Sequence, residues 1–293
     1  MMNFMNTSTN GKNDNDTTQE RKKMLMQQTN KATDNQTIVE SFNVDEEFLY
    51  DNEYLFIKGY ATALDLTQTL KALPLARKFH NGQYRKGFVE IKGEKYRLPY
   101  VLHVLKVAST LISLRLDHDD NMSRHELDIL LATALLHDSI EDAEKYFPKG
   151  GEELMSKYHF SREIYDAVKL VSKHPGYTDE QLETYFNEIK KNKYALLVKL
   201  ADRSHNVEDL YNMKIEKLHK YVYETRKYIY PLTKYGKANY PEYSNGFTIL
   251  KSKIRSLTEL TETLVDMYEI KIAQKDHEIE TLQNQIKELK ERN

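Results

Sequence analysis

Along most of this chain apolar residues recur three and four apart, the spacing that lines one face of an α-helix. The pattern predicts helices over Ala61 to Lys78, His103 to Leu116, Arg124 to His137, Ser161 to Ser172, Thr178 to Lys191, Tyr194 to Leu200 and Lys214 to Tyr230. Alternation of apolar and charged residues occurs only from Val89 to Arg97, around Gly93, and reads as a short β-hairpin. Many helices and one hairpin predict an all-α helical bundle with a small β-hairpin insertion. No repeat at solenoid spacing runs through the sequence.

The pattern changes at both ends. Residues 1–45 are rich in Asn, Thr, Lys, Gln and Asp, and their few apolar side chains cannot offset the entropy of ordering. A disordered polar tail is expected there, with order beginning near Phe48. From about Ile254, Leu257, Leu260, Leu264 and Met267 form one apolar run, and Ile279, Leu282, Ile286 and Leu289 form another. Lys and Glu fill the gaps, with no glycine or proline. The two runs are out of phase, so a shared seam must shift near Lys271 to Lys275, as at a stutter. The expected division is a tail (1–45), a globular domain (46–250) and a C-terminal long helix or coiled coil (251–293). Through that helix the chain is expected to form a homo-oligomer. The alternative is a helix whose first half packs on its own domain while the second half frays.

Composition narrows the function. A chain of 293 residues with 40% hydrophobic content supports a sizeable core. The net charge of −2 gives no sign of bulk nucleic-acid binding, which needs a strongly basic surface. Cysteine is absent, excluding disulfides, thiolate metal sites and cysteine nucleophiles, and fitting a reducing compartment. The N-terminus lacks the apolar core of a signal peptide, and no segment is long and apolar enough to cross a bilayer. A cytoplasmic protein with no membrane partner is expected.

The chemistry concentrates in Leu135-Leu136-His137-Asp138-Ser139-Ile140-Glu141-Asp142. On a continuous helix His137 stacks over Glu141 and Asp138 over Asp142, placing four ligand or proton-transfer groups on one face behind an apolar run. Acids so placed are costly unless a cation meets them; the alternative is a solvated helix end. Two other segments supply matching groups. Pro99-Tyr100-Val101-Leu102-His103 opens a helical pattern with a histidine at its start, and Val198 to Asn206 runs from apolar residues into Asp202. His103, His137, Asp138 and Asp202 form a nitrogen–oxygen ligand set suited to manganese, iron or zinc with open positions. Glu141 and Asp142 are then placed to move protons. Arg85-Lys86 suits a polyphosphate, although a solvated basic pair has the same sequence.

Taken in order, these residues resemble the HD superfamily of metal-dependent phosphohydrolases, and within it the RelA/SpoT-type alarmone hydrolases. The resemblance covers about residues 70 to 240. It runs through Ala76 to Lys86, Pro99-Tyr100 before His103, the octet ending in Asp142, Lys199-Leu200-Ala201-Asp202-Arg203-Ser204-His205-Asn206, and Glu224-Thr225 with Pro231-Leu232. It implies that Arg85, Lys86 and Asn206 contact a guanine nucleotide alarmone, and that His205 lies behind the ligands or packs. The chain departs from the family where Gly87 follows Lys86, where the hairpin intervenes, and where Val104 follows His103 in place of proline. These changes lie beside the nucleotide pocket and leave every ligand in place.

The resemblance implies manganese-dependent removal of the 3′-diphosphate of guanosine 3′,5′-bis(diphosphate), ppGpp, or its pentaphosphate form, giving GDP or GTP and pyrophosphate. Zinc or iron are the other candidate metals. The rival within the same chemistry is another nucleotide phosphohydrolase, such as an NADPH phosphatase. The rival of another class is a coiled-coil regulatory protein, such as an antitoxin to an alarmone synthetase. Asp117-His118-Asp119-Asp120 reads as helix-capping acids rather than a metal site. His159, His174, His219 and His277 read as structural, and the 21 tyrosines as packing residues in a chain without tryptophan.

Overall fold

A computed structural model of the protein describes residues 37–85, 89–91, 94–173, 176–208 and 215–292. Contacts divide the chain into Met1–Glu47 and Phe48–Asn293. Of the first unit only the start of helix α1 (Thr37–Ala63) is described. That helix begins inside the segment expected to be a disordered tail. Once a helix exists, each added residue gains a backbone bond at little cost, and Ile38, Val39, Phe42 and Val44 are compatible with it. Residues 1–36 lie outside the described residues.

The second unit continues with α2 (Thr67–Phe79), strands β1 (Val89–Ile91) and β2 (Glu94–Tyr96), α3 (Val101–Ser113) and a single turn, α4 (Leu116–Asp119). Then come α5 (Arg124–Leu136), α6 (Ser139–Asp142), α7 (Glu153–Ser156), α8 (Arg162–Val171), α9 (Asp179–Ile189) and α10 (Lys193–Glu208). The chain continues with α11 (Ile215–Glu224), a π-helical turn (Thr225–Ile229), α12 (Tyr230–Asn239) and α13 (Ser244–Glu291). The bundle is all-α apart from the antiparallel pair β1–β2, where Val89 faces Tyr96 and Ile91 faces Glu94. The expected hairpin is present.

Every residue of α5 from Leu127 to Leu136 is buried, because α2, α3, α8 and α10 all pack around it. Its start is fixed by a capping box: the Ser123 hydroxyl accepts from the Glu126 backbone, and Glu126 accepts from the Ser123 backbone. Asp128, inside α5, accepts from the backbone N–H groups of Gln68 (2.9 Å) and Thr69 (2.7 Å) and so caps α2 from across the core. Asp128→Ala strands those donors, and urea unfolding should show a loss of about 2–4 kcal/mol. An unchanged midpoint would mean that water replaces the cap.

Several expected helices are interrupted or extended; the one over His103 to Leu116 ends at Ser113, and Arg115, with a φ of 54°, separates it from Leu116. The stretch Ala61 to Lys78 is split at Asp65, whose φ of 57° ends α1. Leu66 N–H bonds to the Ala61 carbonyl and Asp65 N–H to that of Thr62, a Schellman end in which Asp65 takes the place usual for glycine. The stretch Tyr194 to Leu200 extends through Asp202 and Asn206 to Glu208.

Asp120 does cap a helix, but a distant one. Its carboxylate accepts from the backbone of Asn245 (3.1 Å) and Gly246 (2.8 Å) at the start of α13. The first part of α13 lies on α10, α11 and α12, and buries Phe247, Leu250, Ile254, Thr258, Thr261 and Val265. The boundary expected at 250 therefore falls inside one continuous helix. The covered face also corrects the expected seam: Leu260 and Met267 are exposed, and Leu257 and Leu264 only half-buried. From Ile254 the covered residues are spaced four, three and four apart. That series continues in phase to Tyr268, Ile272, Ile279, Leu282, Ile286 and Leu289, so no stutter is needed. No described helix is long and apolar enough to cross a membrane.

Candidate active site

Three helices converge on one buried point. His103 comes from the first turn of α3, His137 and Asp138 from the end of α5, and Asp202 from the middle of α10. The octet is not the single helix its spacing suggests. α5 stops at Leu136, the chain turns at Asp138 (φ −98°, ψ 0°), and α6 restarts at Ser139. Side chains take over the carbonyls released there: His137 Nδ1 lies 2.8 Å from the Ala134 carbonyl, and Ser139 Oγ donates to that of Leu136 at 2.6 Å. The break corrects the stacked-face picture and turns Asp138 toward both histidines.

Asp138 Oδ2 lies 3.1 Å from His137 Nε2 and 3.4 Å from His103 Nε2. Asp202 Oδ1 lies 3.2 Å from His103 Nε2 and 3.9 Å from His137 Nε2. The donor atoms of His103, His137 and Asp138 all fall within 4.8 Å of one another. With Nδ1 carrying its proton to the Ala134 carbonyl, His137 presents a lone pair at Nε2. That atom is buried and has no hydrogen-bond partner among the described residues. A lone pair facing two carboxylates needs a positive charge between them. Burial would lower the His137 imidazole, but Asp138 and Asp202 raise it to about 9, so in the absence of a metal a proton takes that place. Asp202 and Asp138 are both held below the usual carboxylate range against the opposing effect of burial, Asp202 by Lys199 and His103 and Asp138 by His137 and His103. The separations are those of neighbouring donors around one divalent ion bound at about 2.0–2.2 Å, and the donor set fits such an ion.

A second layer holds these groups. His205 Nδ1 meets His103 Nδ1 at 2.8 Å, leaving His103 Nε2 for the carboxylates. Burial, with His103 and Arg85 nearby, lowers His205 to about 3 and keeps it neutral. The Tyr100 hydroxyl donates to Asp138 Oδ2 at 2.7 Å, and the Lys199 ammonium donates to Asp202 Oδ2 at 3.0 Å. Behind α10, buried Arg203 pairs with Glu224 at 3.3 Å and bonds to Thr225, joining two motifs that the sequence left separate. Tyr100 and Lys199 were visible only as parts of longer strings. Lys199 carries a signal of its own, three residues before an acid on a helix.

The two candidate proton-transfer acids point differently. Glu141 accepts from the Lys173 backbone N–H at 2.9 Å and lines a cavity of about 360 Å³ with Ile140, Phe147, Pro148 and Ser172. Asp142 lies on the Tyr100 side, within the field of Asp138, His137 and His103. Burial, then the charge of Asp138, raises the Asp142 carboxyl; burial raises Glu141 too, and the Lys173 N–H opposes it. Arg85 Nη2 donates to Asn206 Oδ1 at 3.0 Å, its guanidinium lies 5.6 Å from the Tyr100 ring, and the Asn206 amide donates to Asp202. Arg85 and Asn206 are thus both brought to the rim. Lys86 and His174 lie outside the described residues.

The hairpin is fastened at its base. Tyr84 pairs with Pro99, Arg85 N–H bonds to the Leu98 carbonyl (2.8 Å), and Tyr100 N–H bonds to that of Gln83 (2.8 Å). The chain therefore leaves the site at Arg85 and returns to it at Tyr100.

A family model described as the HD domain matches residues 100–207, the stretch holding all four candidate ligands. Residues 100–207 are an HD domain. Around it the chain is similar to proteins named guanosine-3′,5′-bis(diphosphate) 3′-pyrophosphohydrolase. The one from Haemophilus influenzae is 33% identical over 164 residues, 54% of this chain and 21% of that protein. The one from Aquifex aeolicus is 32% identical over 167 residues, 55% of this chain and 20% of that protein. A Myxococcus xanthus protein named GTP pyrophosphokinase is 32% identical over 186 residues, 60% of this chain and 21% of that protein. The chain spans about a fifth of the length of these relatives. The likeness supports an HD phosphohydrolase of the RelA/SpoT type; HD domains bind divalent metals, and the His103–His137–Asp138 cluster is a group that could hold one.

Proposed function

We propose that this HD domain hydrolyses the 3′-diphosphate of guanosine 3′,5′-bis(diphosphate), releasing pyrophosphate and GDP, or GTP from the pentaphosphate form. The observation that carries the reading is the placement of Arg85 and Asn206 beside the His103–His137–Asp138–Asp202 cluster, a guanidinium and an amide next to a donor set that fits a divalent ion. The similarity to proteins named for this reaction points the same way.

His103, His137, Asp138 and Asp202 would hold the ion. Bound there, a divalent metal supplies Lewis acidity for the phosphoryl oxygens and lowers the pKa of water. The remaining steps fall to the chain. Asp142 takes a proton from the attacking water as its oxygen bonds to the phosphorus on the ribose 3′-oxygen. The P–O3′ bond breaks, pyrophosphate leaves with the water's oxygen, and the proton passes to O3′. Its raised pKa suits Asp142 to both halves of that transfer. Glu141, fixed by the Lys173 N–H, orients the water. Tyr100 and Lys199 hold Asp138 and Asp202 in place, His205 fixes the His103 ring, and Arg85, Lys86 and Asn206 bind the nucleotide.

The test is incubation of purified protein and manganese with ppGpp, GTP and NADPH separately, with products resolved by chromatography. GDP and pyrophosphate from ppGpp are expected. Conversion of NADPH with ppGpp left intact would overturn the substrate assignment. Chelation should abolish turnover and manganese should restore it best. Magnesium, which prefers all-oxygen octahedra, should serve poorly at a site with two imidazoles. Full activity after exhaustive chelation would sink the metal mechanism.

A further inference from the structure

The far half of α13 carries an apolar stripe that its own domain does not cover. Up to Val265 the domain buries this face, with Leu218 of α11 packed on Val265, and His219 reaches Glu269 as the outermost tie (2.8 Å). Beyond Val265, the residues Tyr268, Ile272, Ile279, Leu282, Ile286 and Leu289 continue the same spacing and are each about half exposed. Everything between them is polar except Ile270 and Ala273, which lie off the stripe. An apolar stripe sustained for roughly three heptads, between charged flanks, is the pattern of a coiled-coil seam.

We propose that a second copy of this chain covers the stripe, its α13 running antiparallel to the first. The direction follows from what already occupies the face. A partner helix running parallel would bring its own domain onto the face that α10, α11 and α12 fill from Phe247 to Val265. A partner running the opposite way meets only the free part of the seam, and its domain sits at the far end. In the register with fullest overlap Ile279 faces Leu282 of the second copy, Ile272 faces Leu289, and Lys275 faces Ile286. Lys275 reaches its own Glu278 at 2.8 Å, which keeps its charge at the edge while its stem covers the seam. Glu269 falls beside Lys290 of the second copy, and Lys271 beside Arg292. One flanking contact attracts and the other repels, so apolar burial rather than charge drives pairing, and salt should change the affinity little.

Light scattering on the full-length protein at about 50 µM should give twice the chain mass, and the double variant Ile279→Asp with Ile286→Asp should weaken pairing about a hundredfold or more and run as a monomer. A wild-type monomer at that concentration, a higher oligomer, or an unchanged dimer in the double variant would each overturn the proposal. Circular dichroism of the variant should retain the domain's unfolding transition, separating lost pairing from lost folding. The cysteine-free chain makes direction measurable. Protein carrying Ile272→Cys mixed with protein carrying Leu289→Cys should form a disulfide between the two species, and neither should link to itself. A Leu289→Cys protein that cross-links to its own copy would show a parallel pair and overturn the arrangement.

Discussion

His137→Ala and Asp202→Ala should each strip the metal from the protein and take hydrolysis down with it, the largest losses expected of any single change. Each ligand is buried against the others, and neither loss can be made good from nearby. Removing His137 deletes a buried ring nitrogen that has no hydrogen-bond partner among the described residues, and takes from Asp138 the nearer of its two histidines, at 3.1 Å. Removing Asp202 takes its carboxylate partner from the half-buried Lys199 ammonium and leaves His103 Nε2 with Asp138 alone. Asp142→Asn separates chemistry from metal binding. It should keep a full complement of metal while losing roughly 10²-fold or more in turnover, the usual contribution of a positioned acid or base. Glu141→Gln should also lose activity, but less, because an amide oxygen can still accept from the Lys173 N–H. Metal content by atomic emission and turnover on ppGpp, measured on the same preparations, decide the matter. An Asp142→Asn enzyme as fast as the parent would refute the role given to that carboxylate, and a metal-replete, active Asp202→Ala enzyme would refute the ligand set.

Shortening α13 should have two sharply different outcomes depending on the cut. Ending the chain before Ser256 removes Thr258, Thr261 and Val265 from the core and uncovers Leu218 and Tyr221 on α11. The loss of that burial should cost about 4 kcal/mol or more, a large share of the roughly 5–15 kcal/mol that holds a domain together. Tyr221 also donates to the Arg203 carbonyl on α10, so damage there reaches the helix that carries Asp202. Ending the chain after Glu269 instead leaves every one of these contacts in place and should change stability by no more than about 0.5 kcal/mol. Urea unfolding of both truncations is the measurement. Equal midpoints would mean that the covered part of α13 contributes nothing to the domain.

The same region shows where the sequence is hard to read. Leu257, Leu260, Leu264 and Met267 look like the inward face because they are the large apolar residues, yet the buried positions include two threonines. Thr258 and Thr261 donate their hydroxyls to the carbonyls of Ile254 (2.7 Å) and Leu257 (2.8 Å), so each buries a methyl group without stranding a polar atom. Counting threonine as polar shifts the apparent phase of the whole helix. Asp65 defeats the helical reading for a related reason: a residue with ordinary helical neighbours takes a left-handed conformation so that Leu66 can be buried. At the candidate site the sequence named the residues that the structure brings together, His103, His137, Asp138 and Asp202, because few residue types serve a metal and their order survives a kink. The kink was not legible. Leu135 to Asp142 has no proline or glycine to announce a break, and the turn at Asp138 is held by side chains bonding back to carbonyls three residues earlier. Tyr100 reaches Asp138 only because the start of α3 meets the end of α5 in space, which no local pattern records, whereas Lys199 reaches Asp202 three residues further along the same helix.

The fastened base of the hairpin separates the length of an insertion from the position of the groups beside it. Gln83 to Arg85 and Leu98 to Tyr100 are paired backbone to backbone, so the two anchoring segments stay side by side whatever sequence connects them. The connecting stretch can then be lengthened, shortened or exchanged while Arg85 and Tyr100 keep their stations over the catalytic centre. Such a junction is a natural splice point, where the connecting loop can be exchanged beside the His–Asp cluster without moving the residues that hold the cluster together.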